Sequence, residues 1–159
     1  MPVFNYRFTV DAPVEAVAAF HFQPGAFKRL SFPLTPAQLH YEEPLADGSE
    51  MRFTLWFGPL PVRWRAVHSN VGPHGFTDTQ VDGLMRTWVH THRFIPLADG
   101  RSAVEEEITM AHHGGWRGLL TRLLFAPPAL KMLFSYRRWV TRRLAPRFAT
   151  NGDRPVSTS

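Results

Sequence analysis

The stretch TWVHTHRFIPLADGRSAVEEEITM, residues 87–110, determines the fold. On both sides of the turn dipeptide Asp99-Gly100, apolar and polar side chains alternate with a period of two residues. This period is typical of strands with one buried face, because successive side chains of a strand point to opposite sides of the sheet. The stretch therefore predicts an antiparallel hairpin whose inner side carries Trp88 and Ile108.

Similar turn signals precede this hairpin at Asp47-Gly48, Gly58-Pro59, Gly72-Pro73 and Asp82-Gly83. Glycine tolerates positive φ and proline has no backbone N–H, so these dipeptides end strands. The segments between them are rich in aromatic and β-branched residues, which predicts an antiparallel meander. Together with two earlier segments, the predicted strands are 3–10, 38–43, 50–57, 62–71, 75–81, 85–97 and 102–111.

Helical patterns occur in two parts of the sequence. Asp11 and Pro13 supply a cap candidate and a first-turn proline, and short helices are predicted over 14–20 and 24–30. A long C-terminal helix is predicted from Trp116 to Phe148, with a kink or break at Pro127-Pro128. Its apolar stripe is expected to face the sheet and consists of Trp116, Leu119, Leu120, Leu123, Leu124, Ala129, Met132, Leu133, Tyr136, Val140 and Leu144.

The composition limits the class of protein. With 159 residues, 44% of them hydrophobic and 19% charged, the chain can form one substantial core and is not intrinsically disordered. We expect one domain over 1–148 and a flexible polar tail over 149–159. The absence of cysteine excludes disulfides, thiolate metal sites and thiol nucleophiles. No membrane-spanning run and no signal-peptide pattern are present, so a cytoplasmic location is expected.

The order of elements describes an α+β chain. A seven-stranded curved antiparallel sheet is expected to wrap around the long C-terminal helix, with two short helices between strands 1 and 2. This order resembles the SRPBCC superfamily, also called START-like or helix-grip proteins. The motifs that carry the resemblance are VDAPVEAV (10–17), FGP (57–59), FTDTQ (76–80), WVHTHRF (88–94) and FSYRR (134–138).

The motifs are similar to those of a bacterial ligand-binding subfamily that is labelled cyclase/dehydrase-like. The resemblance implies a helix-grip fold with a hydrophobic ligand cavity between sheet and helix. One segment departs from it, because MAHHGG (110–115) stands where such proteins often have a tyrosine and a proline. The superfamily includes lipid carriers, hormone receptors, polyketide cyclases and co-chaperones, so the fold alone does not select a function.

Strand alternation predicts which side chains face the cavity. The polar residues on the inner face are His68, Asp78, His90, His92 and Glu106, and they are expected to contact a polar group of the ligand. If the connecting turns are symmetric, His68 lies opposite Asp78 and His92 lies opposite Glu106, close enough for hydrogen bonds. The predicted apolar walls are Phe53, Leu55, Trp64, Phe76, Trp88, Leu120, Leu124 and Leu133.

These histidine–carboxylate pairs have three interpretations: self-satisfied structural pairs, contacts to a ligand head group, or general acid/base catalysis. The catalytic candidates are His90, His92 and Glu106. The same three side chains have the chemistry of a zinc or iron site. We nevertheless expect no metal and no cofactor, because histidines two residues apart also align in any strand core.

The expected function is binding of a hydrophobic or amphipathic small molecule (lipid, polyketide or quinone-like), as a carrier or sensor. One alternative is an enzyme of the polyketide cyclase/dehydratase type that uses an inner histidine as general base. Another is a co-chaperone-like interaction module, which would have an exposed apolar patch and no cavity.

The net charge of +5 originates in the C-terminal region, since residues 116–148 contain eight Arg and Lys residues and no Asp or Glu. Lys131, Arg138 and Arg142 follow one polar line opposite the apolar stripe. Such a line is typical of a solvated face or of a helix that docks on anionic lipid. Nucleic acid is not expected as a partner, because the aromatic residues there have core spacing and no known binding module is present.

Overall fold

The computed structural model describes residues 1–150. Seven strands form one antiparallel sheet: β1 Val3–Val10, β2 Ala37–Glu42, β3 Glu50–Phe57, β4 Leu60–Gly72, β5 Gly75–Asp82, β6 Thr87–Pro96 and β7 Ser102–Ala111. Their spatial order is β1-β7-β6-β5-β4-β3-β2, so the chain meanders from one edge back to β7 beside β1. The predicted strands and their antiparallel pairing are confirmed, with every boundary within two residues of its predicted position.

Two short helices, α1 Val14–Phe22 and α2 Ala26–Leu30, connect β1 to β2. The residue before α1 is Pro13, and no side chain caps this helix, so the predicted cap at Asp11 is wrong. The C-terminal region forms α3 Gly115–Leu124 and α4 Pro127–Leu144, followed by a 3-10 turn at Ala145–Phe148. The predicted break at the proline pair is confirmed, because α4 begins there, where a missing N–H removes no helical hydrogen bond.

The strand registers bring the titratable residues of the inner face into adjacent rows. His68 on β4 lies opposite Asp78 on β5, and His92 on β6 lies opposite Glu106 on β7, as predicted. Asp78 is in turn opposite His90 on β6. Asp78 therefore lies between two strands that each carry an inward histidine opposite it.

Helix α4 packs against the inner face of the sheet. The ring of Phe134 lies 5.6 Å from that of Phe4 and 5.5 Å from that of His90, measured between centroids. The buried side of α4 agrees only in part with the predicted stripe, because Phe134 and Thr141 are also buried and Met132 is 50% exposed. Val140 of the predicted stripe is buried, and Leu133, Tyr136 and Leu144 pack against the core, so the stripe is correct in part.

Helix α3 differs more strongly from its predicted orientation. The apolar residues Trp116, Leu119 and Leu123 were expected to face the core, but they are 73%, 70% and 73% exposed. The buried residues of this helix are Gly118 and Thr121 on the opposite side. The pattern correctly predicts an amphipathic helix, but the small residues form the packed face.

No helix within residues 1–150 is both long enough and apolar enough to cross a bilayer. The predicted tail over 149–159 lies outside the described residues apart from its first two positions. The first of these, Ala149, packs against the core cluster around Phe20.

Candidate ligand-binding cavity

A cavity of about 510 Å³ lies between the inner face of the sheet and the helices α2 and α4. This volume is in the range of sites that bind small molecules. Leu120, predicted as a wall residue, does not border it. The other predicted wall residues border it, and they are Phe53, Leu55, Trp64, Phe76, Trp88, Leu124 and Leu133.

One end of the cavity is aromatic. The rings of Phe53 and Trp64 stack at 5.8 Å, and Trp64 and Trp88 meet at 5.2 Å in a perpendicular arrangement. Phe125, which follows α3, closes this group at 5.3 Å from Trp88. Further along β6 the inward positions are His90 and His92, so the cavity is apolar at one end and polar at the other.

At the polar end lies a compact group of four side chains, Asp78, His90, His92 and Glu106, called here the inner cluster. Asp78 and the two histidines border the cavity, whereas Glu106, which was predicted to contact the ligand, is buried and does not. The two imidazoles lie with their centroids 3.9 Å apart and their planes tilted by 40°. Asp78 Oδ2 is 3.3 Å from His90 Nδ1 and 3.1 Å from His92 Nε2. Glu106 Oε2 is 2.8 Å from His90 Nε2 and 2.8 Å from His92 Nδ1. Each carboxylate therefore lies between both histidines.

Two of these four contacts have hydrogen-bond geometry. His90 Nε2 donates to Glu106, and His92 Nε2 donates to Asp78. His92 Nδ1 is close to Glu106 but has no hydrogen-bond partner among residues 1–150. His92 and Glu106 are thus close together, as predicted, but the hydrogen bonds join His90 to Glu106 and His92 to Asp78.

Burial and charge act against each other in the inner cluster. Burial alone would lower the pKa of His92, but the charge of Glu106 and the hydrogen bond to Asp78 outweigh it and raise this pKa to about 9. Burial also disfavours ionised carboxylates, yet the nearby histidines hold the pKa values of Asp78 and Glu106 well below their ordinary range. At neutral pH His92 is therefore protonated between two carboxylates.

The predicted pair of His68 and Asp78 does not form. His68 Nδ1 lies 3.0 Å from the Ser49 hydroxyl and 3.1 Å from the Ser49 carbonyl oxygen. Backbone hydrogen bonds between His68 and the segment 48–49 bring the serine beside the ring. Asp78 turns instead to the histidines of β6, and burial lowers the pKa of His68.

Arg137 on α4 also borders the cavity, and the sequence interpretation missed it. Its guanidinium lies over the Phe134 ring at 5.3 Å from the centroid. The Nε atom is buried and has no hydrogen-bond partner within the part of the chain that is described. Helical spacing contained the signal, because Leu130, Phe134, Arg137 and Thr141 follow i, i+4, i+7 and i+11 on one face.

His21 at the end of α1 is a second missed residue of the polar end. Its Nδ1 donates to the carbonyl oxygen of Val17 at 2.8 Å. Burial lowers the pKa of His21 to about 4, so the ring is neutral and its Nε2 is a hydrogen-bond acceptor. The uniformly apolar run before it, residues 16–20, was the available sign that this helix is buried on several sides.

The inner cluster also has the residue types of a metal site. One ligand atom each from Asp78, His90 and His92 lies within 4.8 Å of the other two. The set differs from the one considered from the sequence, because Asp78 replaces Glu106. Imidazole nitrogens of these two histidines donate hydrogen bonds to the carboxylates, so a metal ion would have to compete with protons for them.

The chain matches no known family model, and it matches no curated protein sequence. Solved structures do match it over most of its length. Protein CV1439 from Chromobacterium violaceum has a TM-score of 0.70 at 13% identity, covering 91% of this chain and 97% of that one. TTHA0849 from Thermus thermophilus has a TM-score of 0.67 at 15% identity, covering 88% and 97% respectively.

A further similar structure is that of Ara h 8.0201, with a TM-score of 0.61 at 11% identity, covering 87% of this chain and 97% of that one. At such low identity the likeness concerns the fold alone. The α+β fold predicted from the sequence is confirmed: the chain has the helix-grip fold, a fold class that often binds hydrophobic ligands.

Proposed function

We propose that this protein binds an amphipathic small molecule in its cavity and acts as a carrier or sensor of that molecule. The observation that carries the proposal is the division of the cavity into an aromatic end and a polar end. An apolar ligand body would displace water from the aromatic walls. A lipid, a polyketide or a quinone-like molecule combines such a body with an oxygen-containing head group.

The polar end favours a head group that both accepts and donates a hydrogen bond. Within residues 1–150 the Arg137 guanidinium has a buried Nε–H without an acceptor, and a carboxyl, phenol or enol oxygen would supply one. His21 Nε2 would accept the proton of the same group. We assign recognition of the head group to Arg137 and His21, because the inner cluster satisfies most of its own hydrogen bonds.

The finer resemblance is part of the same proposal. We assign the chain to the bacterial cyclase/dehydrase-like SRPBCC subfamily, and we expect it to work in the cytoplasm. The motifs that suggested this subfamily support the assignment, since FTDTQ and WVHTHRF contribute Phe76, Asp78, Trp88, His90 and His92 to the cavity lining.

An enzyme of the cyclase/dehydratase type is the second candidate, and the buried histidine pair favours it. The charge state changes the role that the sequence suggested. With a pKa of about 9, His92 is protonated at neutral pH and suits a general acid rather than a general base. His21 is the neutral alternative, but a pKa of about 4 makes it a weak base.

The co-chaperone-like alternative has less support. Its sequence-based signature was an exposed apolar patch without a cavity. The chain has such a patch on α3, but it also has the cavity. A module that only binds other proteins does not need an arginine with an unpartnered, buried Nε at the end of a cavity.

Binding of cis-parinaric acid, a fluorescent amphipathic acid, and of its methyl ester tests this function. We expect saturable binding of the acid, with the ester weaker because it lacks the carboxylate charge that would pair with Arg137. Arg137→Met should lower the affinity for the acid by about tenfold or more, since a charge-assisted hydrogen bond contributes about 1.5–3 kcal/mol. The affinity for the ester should change little. Arg63→Gln, which removes an exposed arginine from the outer face of β4, is the matched control.

Two results would contradict the proposal. One is the absence of saturable binding by the folded protein. The other is an equal loss of acid and ester affinity in Arg137→Met. Native mass spectrometry of the purified protein separates carrier from enzyme, because a carrier leaves the mass of its bound molecule unchanged during incubation, whereas an enzyme converts the molecule to a product.

A further inference from the structure

Helix α3 presents its apolar side to solvent. Trp116, Leu119 and Leu123 occupy positions i, i+3 and i+7, so they lie on one face, called here the α3 face. Each keeps 70% or more of its surface exposed. Large apolar side chains grouped in this way mark a surface that binds something other than water.

The opposite side of α3 is fastened to the segment before it. A Cβ atom at Gly118 would lie 1.8 Å from the carbonyl oxygen of His113, which shows how closely the two backbones approach. Thr121 is fully buried; its hydroxyl donates to the carbonyl of Gly118 at 3.1 Å and accepts from His112 Nδ1 at 2.8 Å. The α3 face cannot turn inward unless these contacts break.

The two charged residues of α3 are both positive. At about 100° per residue, Arg117 and Arg122 flank the apolar strip on its two sides, and both are exposed. No acidic residue occurs anywhere in 116–148. A second copy docked on the same face would bring the arginines of both α3 helices together with no carboxylate on either helix to pair them, so charge disfavours self-association here.

We propose that the α3 face docks this protein on an anionic lipid bilayer. An apolar strip with arginines along its edges fits the boundary between headgroups and acyl chains, where the guanidinium groups bind phosphate and the apolar side chains insert. Of the three basic residues predicted from the sequence, we retain exposed Lys131. Arg142 donates to a backbone carbonyl of β1, and Arg138 is half-buried, so Arg117 and Arg122 take their place.

The α3 face adjoins the cavity. Leu123, which is exposed on this face, also borders the cavity. Leu124 and the half-exposed Met132 border the cavity as well. A bilayer-bound protein would therefore hold its cavity beside the lipid, and an apolar ligand would move between them with little exposure to water. This exchange rests on the proposed ligand-binding function, whereas the docking does not.

Vesicle flotation tests the docking. We expect the protein to float with vesicles of equal parts phosphatidylglycerol and phosphatidylcholine, and much less with phosphatidylcholine alone. The triple variant Trp116→Ser, Leu119→Gln, Leu123→Gln should lose about tenfold or more of its partitioning, because all three residues leave the bilayer. The double variant Arg117→Gln, Arg122→Gln should lose binding to anionic vesicles in particular.

Matched controls use exposed residues elsewhere. Val3→Gln and Val81→Gln remove apolar side chains that are 51% and 50% exposed, and Arg63→Gln removes an exposed charge. All three should float like the wild type. Thermal unfolding confirms that each variant is folded.

Equal flotation of wild type and triple variant would overturn the proposal. So would a wild type that binds cis-parinaric acid but not anionic vesicles, and this result would leave the proposed function intact. A wild-type dimer that the triple variant dissociates, without vesicle binding, would assign the α3 face to a second copy instead. Loss of probe binding with normal flotation would count against the cavity and not against the docking.

Discussion

Buried His92 predicts a loss of stability at alkaline pH. Its pKa is about 9 in the folded protein and returns to 6.5 in the unfolded chain. A histidine whose pKa is raised by folding stabilises the fold fully below the unfolded value and loses that contribution as the pH rises through the folded value. The free energy of unfolding should therefore decrease between about pH 6.5 and 9.

The difference between the two pKa values corresponds to roughly 3 kcal/mol, at about 1.4 kcal/mol per pKa unit. His92 is only 4% exposed, so solvent screening reduces this contribution little. A loss of this size is a large part of the stability of an ordinary domain, about 5–15 kcal/mol. The chain has no cysteine, so no thiol titrates in the same interval.

Urea unfolding at pH 6.5 and pH 9.5, followed by tryptophan fluorescence, measures this loss. In His92→Gln most of the pH dependence should disappear, whereas His74→Gln, at an exposed loop position, should keep it. An NMR titration of the His92 ring measures the same pKa without any substitution. Equal losses in wild type and His92→Gln, a wild type that becomes more stable toward pH 9.5, or a ring that titrates near 6.5 would refute the reasoning.

Two further predictions concern His21 and Gly118. Burial lowers the pKa of His21 to about 4, so stability should fall as the pH drops from 6.5 toward 4, and His21→Leu should flatten this slope in thermal unfolding. Gly118→Ala should destabilise by roughly 1–3 kcal/mol in urea, despite the better helix propensity of alanine, because its Cβ would collide with the carbonyl of His113. Gly114→Ala, with open space around its Cβ, is the control and should change stability little.

The sheet was predictable because its signals are local. Turn dipeptides such as Asp99-Gly100 end the strands, and the period of two assigns each side chain to a face. Symmetric turns then place His92 opposite Glu106 and His68 opposite Asp78, and both registers are confirmed. No information from distant parts of the chain was needed for these steps.

The choice of hydrogen-bond partners was not predictable from the register. Asp78 lies opposite His68 on β4 and opposite His90 on β6, so strand pairing alone does not decide which imidazole it contacts. The outcome depends on Ser49, which lies in the turn before β3 and forms a hydrogen bond with His68 Nδ1. Side-chain reach and a loop contact, rather than strand pairing, decide which carboxylate each histidine meets.

Helix orientation was the other point that local pattern could not decide. Placing apolar residues inward is the correct default for most helices, and it misassigned two residues of opposite kind here. Arg137 has the spacing of the buried face of α4, yet its charge suggested solvent. Leu119 has the composition of a core residue, yet the close contact of Gly118 with the preceding segment turns it outward.

These two exceptions have a physical meaning in common. Burying Arg137 Nε without an acceptor and exposing the α3 face both oppose stability; within residues 1–150 no hydrogen bond satisfies that Nε, and the α3 face stays exposed. Departures of this kind are expected at functional sites, where a partner supplies the missing contact. A ligand oxygen would satisfy Arg137, and a bilayer would cover the α3 face. Since Leu123 belongs to both that face and the cavity lining, transfer of an amphipathic ligand between membrane and cavity accounts for both departures together.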